Sequence, residues 1–334
     1  MVHARRVEDS TLEIEFSAED VARTRFAVSP LWEVVASVRV LKGADPQGMH
    51  RRWAEQVRPL LAAAKLDLTP LSRLIPVPTT GIPGFLVPPP TTPQPSLEVE
   101  LAALRATPPD LLRTKTPEAR AGVDALREDP ERGLARLAEL IAAYWEVALA
   151  PYWPRLLTLY EGDILHRARR IAEGGARHLF HDLDPQVTWD SGTLQLTDRR
   201  CNRGVRRLTG QGLLLCPSAF VWPRIFSTLG SPDAQPTLRY PPRGVGTLWE
   251  QRPQPCSSAL ARVLGRTRAI LLAELAAPAT TTDLARRLAL SPGGVSQHLT
   301  ALRAAGLVNA HRTGRVVLYA RTGVGEALVA AAAA

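Results

Sequence analysis

Apolar and polar positions along the chain predict a largely helical beginning. Ser17-Ala-Glu-Asp20 is a capping signal ahead of a short helix through Phe26. Ser29-Pro30 supplies an N-cap and an N1 proline for Leu31 to Leu41, and a third helix is expected from Gln47 to Ala64. Prolines crowd Thr69 to Pro95, so that stretch reads as an extended loop. Helical pattern returns at Leu97 and is strongest from Gly133 to Leu149. Pro151 and Pro154 interrupt it, and Leu156 to Glu173 forms a further helix ended by Gly174-Gly175. The texture then changes. Val187 to Leu196 alternates around Asp-Ser-Gly as a hairpin does, with further short strands at Gly212–Trp222 and Thr237–Tyr240. Pro241–Gly246 and Gln251–Pro255 mark a boundary, and the chain has no internal repeat.

Beyond that boundary the elements are compact. Leu260, Val263, Leu264, Ile270, Leu271 and Leu275 form one stripe, predicting a single amphipathic helix over Ala259–Leu275. Thr282 to Ala289 is a short helix capped by Thr281 or Thr282, and a turn of about three residues leads to Ser291. Val295, Leu299 and Leu302 recur at i, i+4 and i+7 in the next helix. Val308–Thr313 and Arg315–Arg321 alternate about Gly314 as a β-ribbon. Helix, helix, turn, helix, ribbon is the order of a winged helix-turn-helix. The expected fold class is α+β, mainly α with a small antiparallel β region and this C-terminal domain. The expected divisions are 1–115 (helices and a Pro-rich loop), 116–250 (helices plus antiparallel β, a possible sensor) and 256–334 (DNA-binding).

The helix opening Ser291-Pro-Gly-Gly is poor by propensity, since a mid-helix glycine costs about 1 kcal/mol relative to alanine. The loss makes sense where a helix N-terminus must approach another surface closely, and duplex DNA is such a surface. N–H groups and the positive end of the helix dipole favour phosphate there. With the apolar stripe turned inward, Gly293, Gln297 and Thr300 point out, flanked by Ser296 and Arg303. Gln297 matches adenine N6 and N7 in the major groove. Ser291, Gly293, Gly294, Ser296, Gln297, His298, Thr300 and Arg303 are the candidate DNA contacts on the helix; Arg312, Thr313 and Arg315 are those on the ribbon tip.

Charge sharpens this reading. The chain of 334 residues carries +9. Between Ser258 and Gly325 lie nine arginines (262, 266, 268, 286, 287, 303, 312, 315, 321) against Glu274 and Asp283, a local excess of +7. A basic excess confined to one segment is the footprint of a nucleic-acid binder. The length predicts two or three domains. The chain has no apolar run long enough to span a bilayer and no hydrophobic N-terminal signal segment, so a cytoplasmic location is expected. Cys201, Cys216 and Cys256 are too scattered for a disulfide frame or a zinc site.

The run Thr281-Thr-Asp-Leu-Ala-Arg-Arg-Leu-Ala-Leu-Ser-Pro-Gly-Gly-Val-Ser-Gln-His-Leu-Thr-Ala-Leu-Arg-Ala-Ala-Gly-Leu-Val resembles the helix-turn-helix of the ArsR (arsenical-resistance repressor) family. The likeness covers about the last quarter of the chain. It implies a homodimeric transcription regulator touching DNA through recognition helix and wing. Upstream, Phe26-Ala-Val-Ser-Pro-Leu-Trp-Glu and Ala150-Pro-Tyr-Trp-Pro-Arg resemble long actinobacterial members with an uncharacterised N-terminal region. Metal-sensing members pair cysteines where this chain has Thr280 and Thr282, and a hydroxyl does not replace a thiolate for a soft ion. Their histidines on the last helix are also missing from 325–334, so no metal or cofactor is expected.

Elsewhere, His178, His181, Asp182 and Asp184 are a conceivable metal cluster, against the plainer reading of an exposed helix end. Glu161, Asp163 and His166 read as a solvated face with Asp163 and Arg167 paired at i,i+4. Tyr144, Trp145, Tyr152, Trp153 and Tyr160 read as core, or as the lining of an effector pocket. There is no phosphate loop, nucleophile elbow or coherent Ser/His/Asp set. The expectation is a non-enzymatic, dimeric, DNA-binding repressor with a small-molecule or protein effector, reading an inverted repeat in double-stranded DNA. The alternatives are a nonspecific nucleic-acid binder and an enzyme using the 178–184 cluster.

Overall fold

The computed structural model describes residues 11–79, 81–115, 126, 128–197, 204–228, 235–249, 258–275, 278–313 and 316–333. Cys201, Cys256, Gly314 and Arg315 lie outside them. The chain forms two compact units. One comprises Met1–Trp32, Val87–Glu100 and Tyr160–Arg243; the other comprises Glu33–Leu86, Leu101–Leu159 and Gly244–Ala334.

The first unit is built on two small sheets. Strand Thr11–Glu15 alternates strictly between buried and half-buried positions. It pairs antiparallel with Thr193–Thr197 and parallel with Gly204–Arg207, while Val187–Asp190 completes the far edge. The expected hairpin closes through Ser191 (φ 48°) and Gly192 (φ 86°), two consecutive left-handed residues that match strand twist. In the second sheet Arg25–Phe26, Leu214–Pro217 and Thr237–Tyr240 run parallel, and Phe226–Thr228 joins antiparallel. Both sheets are therefore mixed within the α+β class. Leu12, Ile14, Leu194, Leu196, Leu215 and Leu238 share one core with Phe180.

The capping box at Ser17 forms as expected, Asp20 closing it from the third position of helix Ala18–Ala22. Glu161 is exposed on the expected solvated face, but the pair Asp163–Arg167 forms inside the fold and not on that face. Both side chains have zero exposure, with Arg167 Nε donating to Asp163 Oδ2 at 2.9 Å. Tyr240 Oη (2.8 Å) and the Arg243 backbone N–H (3.1 Å) complete the carboxylate's shell. Arg167 lies 4.8 Å over the Tyr240 ring. Two distant residues, Tyr240 at the end of strand Thr237–Tyr240 and Arg243 in the turn after it, satisfy this carboxylate, which helical spacing alone does not disclose. Within Trp153–Phe180 the helical backbone is interrupted at Gly174 (φ −158°, ψ 23°) and Gly175 (φ 64°, ψ −154°), the expected end of the first helix, and a second short helix follows to Phe180. His178 is on its last turn, and the described residues contain no His/Cys/Asp/Glu group able to hold a metal ion.

In the second unit, Trp53, Val57 and Leu61 of helix Arg51–Ala63 are buried at i, i+4 and i+8. They belong with the buried face of Pro130–Ala148, to which Trp53 Nε1 is tied through the Ala148 carbonyl at 2.9 Å. Tyr144 and Tyr152 are core residues, their hydroxyls bonded to Ser37 Oγ and Gln56 Oε1 at 2.9 Å each. Within the proline-rich stretch, Thr69–Leu74 is helical, contrary to the loop expected there. Pro70 stands at the helix start, where a missing N–H costs nothing. The single helix expected over Ala259–Leu275 is two, Ser258–Leu264 and Arg266–Glu274, broken at Gly265 (φ 82°, ψ 146°). The break turns Val263 out to 74% exposure, while Leu260, Leu271 and Leu275 stay in the core.

Candidate nucleic-acid interface

The helix-turn-helix is assembled by local signals. Thr280, one residue before the expected caps, accepts from the Asp283 backbone N–H at 3.1 Å and starts helix Thr281–Leu288. Ala289 ends it in the left-handed region (φ 53°, ψ 40°) and turns the chain toward Ser291. Ser291 Oγ then accepts from the Gly294 N–H at 3.2 Å, with Pro292 at the first helical position of Pro292–Ala304. At the far end Gly306 is left-handed (φ 69°). Its N–H bonds the Arg303 carbonyl (2.9 Å) and that of Leu307 bonds the Leu302 carbonyl (3.0 Å), a Schellman stop.

Val295, Leu299 and Leu302 are buried at 0–1% exposure and join Leu284, Ala285 and Leu272 in the core. That fixes the opposite face. Ser291, Gly293, Ser296, Gln297, Thr300 and Arg303 are exposed, while Gly294 and His298 are half-buried. The Thr300 hydroxyl donates back to the Ser296 carbonyl at 2.9 Å, so toward a ligand it offers a methyl group and lone pairs. The two glycines differ. A Cβ on Gly294 would meet Ser291 Oγ at 3.1 Å, whereas one on Gly293 would enter open space. The cap accounts for the first; nothing inside the fold accounts for the second.

Strands Val308–Thr313 and Val316–Arg321 pair antiparallel and are joined by Ala279–Thr280. Arg312 is exposed beside the ribbon tip, and Thr313 ends its strand. Arg262, Arg266, Arg268, Arg286, Arg287 and Arg303 are also exposed, Arg286 being paired with Asp283 at 2.8 Å. Arg321 is different. It is 4% exposed, donates from Nε to the Leu272 carbonyl at 2.6 Å and pairs with Glu326 at 2.9 Å. Burial holds its guanidinium below the usual arginine range, with Glu326 opposing the shift. Its charge belongs to the fold, and the surface excess is correspondingly smaller than the sequence count implies. Sequence offered no sign of this role, because an arginine at a strand end reads as solvated.

The apolar stripe, the exposed polar face and the antiparallel ribbon define a winged helix-turn-helix. Residues 268–310 match the family model described as bacterial regulatory protein, arsR family. An ArsR-type helix-turn-helix thus occupies this segment and supports a DNA-binding transcription regulator. No curated protein and no solved structure matches the chain. Among the described residues, no helix is long and apolar enough to cross a membrane.

Proposed function

We propose that this chain is a sequence-specific transcription repressor that acts as a homodimer on an inverted-repeat operator in the cytoplasm, and acts by binding rather than by catalysis. Paired copies of Pro292–Ala304 enter successive major grooves, and the ribbons lie over flanking phosphate or minor groove. The observation that carries the reading is the segregation on that helix. Its apolar stripe is wholly buried, while Ser296, Gln297, Thr300 and Arg303 face solvent with base- or phosphate-reading chemistry. Ser291, Gly293, Gly294 and His298 approach the backbone at the helix start and edge; Arg312, Thr313 and Arg315 do so from the wing. The remaining regions receive the effector, a small molecule or a protein.

Selection from a random duplex pool, followed by affinity measurement, tests this directly. Recovery of a palindromic consensus bound by two chains is the expected outcome. Gln297→Ala is expected to lose about 1–3 kcal/mol of discrimination at one base pair per half-site. Equal binding of all duplexes would overturn the regulator in favour of a nonspecific binder.

A further inference from the structure

The two faces of the wing have different partners. Along Val316–Arg321 side chains alternate, as in any strand. Tyr319 packs on the winged-helix core, and Arg321 reaches the carbonyl of Leu272. Opposite them in the ladder stand Ala310 and Val308, of which Val308 is in the same core. Leu318 and Ala320 point the other way. They are 6% and 3% exposed, yet belong to no part of the winged-helix core. Against both wing strands lies the turn Ala150–Tyr152, and helix Pro130–Ala148 also lies against Val308–Thr313, all within one compact unit. Ala150, Pro151 and Tyr152 are buried as well. Nearby, Arg155 is held below the usual arginine range by burial, with the charge of Glu326 opposing the shift and that of Arg321 adding to it. A domain whose wing was needed only for DNA would leave this second face in water.

We propose that the ribbon is the coupling element of the regulator: its tip serves DNA, and its reverse face at Leu318 and Ala320 is held by the 130–152 helical body, which thereby sets the wing's position and the affinity for duplex. The proposal rests on the DNA-binding reading and adds the route of its regulation. A signal that shifts the Ala150–Tyr152 turn has two discrete consequences within reach, a ribbon docked or a ribbon released. Packed interfaces respond in that stepwise way rather than by continuous deformation.

The test uses the full-length chain and a duplex selected from a random pool. Ala150→Leu crowds the turn beneath the ribbon, and Ala150→Gly, which removes its methyl group, is the second probe. Ala150 is not a candidate DNA contact. At least one of the two is expected to change duplex affinity by about tenfold, within the usual range of coupling between sites. The same variant should speed amide hydrogen exchange in 308–313 and 316–321. Adding Leu318→Ala should shrink its effect on affinity, because the transmitting contact is already loosened. Unchanged affinity and unchanged ribbon exchange in folded variants would overturn the proposal, as would strict additivity with Leu318→Ala. If the wild-type chain bound no duplex, the DNA-binding reading would fall, and ribbon exchange alone would still decide whether the body holds the wing.

Discussion

Gly293 and Gly294 occupy adjacent positions and answer to different constraints. Alanine at 293 has open space around its Cβ and should stabilise the helix by several tenths of a kcal/mol, up to about 1. If a phosphate oxygen must approach that backbone, the same change weakens DNA binding across all sequences. Thermal melts and anisotropy titrations of Gly293→Ala should therefore move in opposite directions, a more stable protein that binds less well. A variant that is more stable and binds equally well would remove Gly293 from the interface. Gly294→Ala should gain less stability, because its Cβ presses on the Ser291 cap at 3.1 Å. Glu100 makes a second residue-scale case. It is 3% exposed, its carboxylate accepting from Ser29 Oγ at 2.6 Å and the Leu31 N–H at 2.7 Å. Burial pushes its pKa up to about 7, against the pull of those two donors and of Arg239. A raised carboxyl binds its proton more tightly folded than unfolded. Its contribution is thus complete below the ordinary value of 4.5 and is lost as pH rises through about 7. The difference is on the order of 3 kcal/mol. Urea midpoints at pH 5 and pH 8 should differ more for the wild type than for Glu100→Gln, the wild type being the weaker at pH 8.

At the scale of elements, the turn between helices Thr281–Leu288 and Pro292–Ala304 is held by one strained residue. Ala289 is exposed and left-handed, a conformation that crowds Cβ against its own carbonyl and costs about 1–2 kcal/mol. Glycine pays no such penalty, although it loses more entropy on folding. Ala289→Gly is expected to stabilise by about 0.5–1 kcal/mol, readable as a higher urea midpoint; a lower midpoint would show that the entropy term wins. Nothing in the sequence marks this residue, since alanine carries no left-handed signal. Elements with strong local chemistry were legible: the Ser17 box, the Ser29-Pro30 start, the 187–197 hairpin, and the order and outward face of the helix-turn-helix. What escaped depended on distant partners. Gly265 sits where a continuous apolar stripe predicted an unbroken helix, and only backbone geometry reveals the break. Strand Thr11–Glu15 was missed because its pairing partners lie some 180–190 residues away. Thr69–Leu74 folds as a helix despite its proline because Leu71 and Leu74 are buried there.

For the molecule as a whole, the net charge of +9 has to be divided by location before it predicts anything about DNA. Exposed arginines release counterions when they meet phosphate, and each contact adds about 0.9 to the slope of log K against log salt. Arg312 is exposed at the ribbon tip, whereas Arg321 is enclosed by the Leu272 carbonyl and Glu326. Arg312→Ala should therefore lower the salt slope by about 1 per chain. Arg321→Ala should act the other way. Removing it leaves Glu326 without its partner and takes the guanidinium donors from the carbonyls of Leu272 and Ala273, at a cost of about 3 kcal/mol in stability. The salt slope of the protein that remains folded should match the wild type. Titrations at several salt concentrations, paired with urea melts, separate the two arginines cleanly. A reduced slope for Arg321→Ala at unchanged stability would mean that its guanidinium reaches DNA, and the division between structural and binding charge would have to be redrawn.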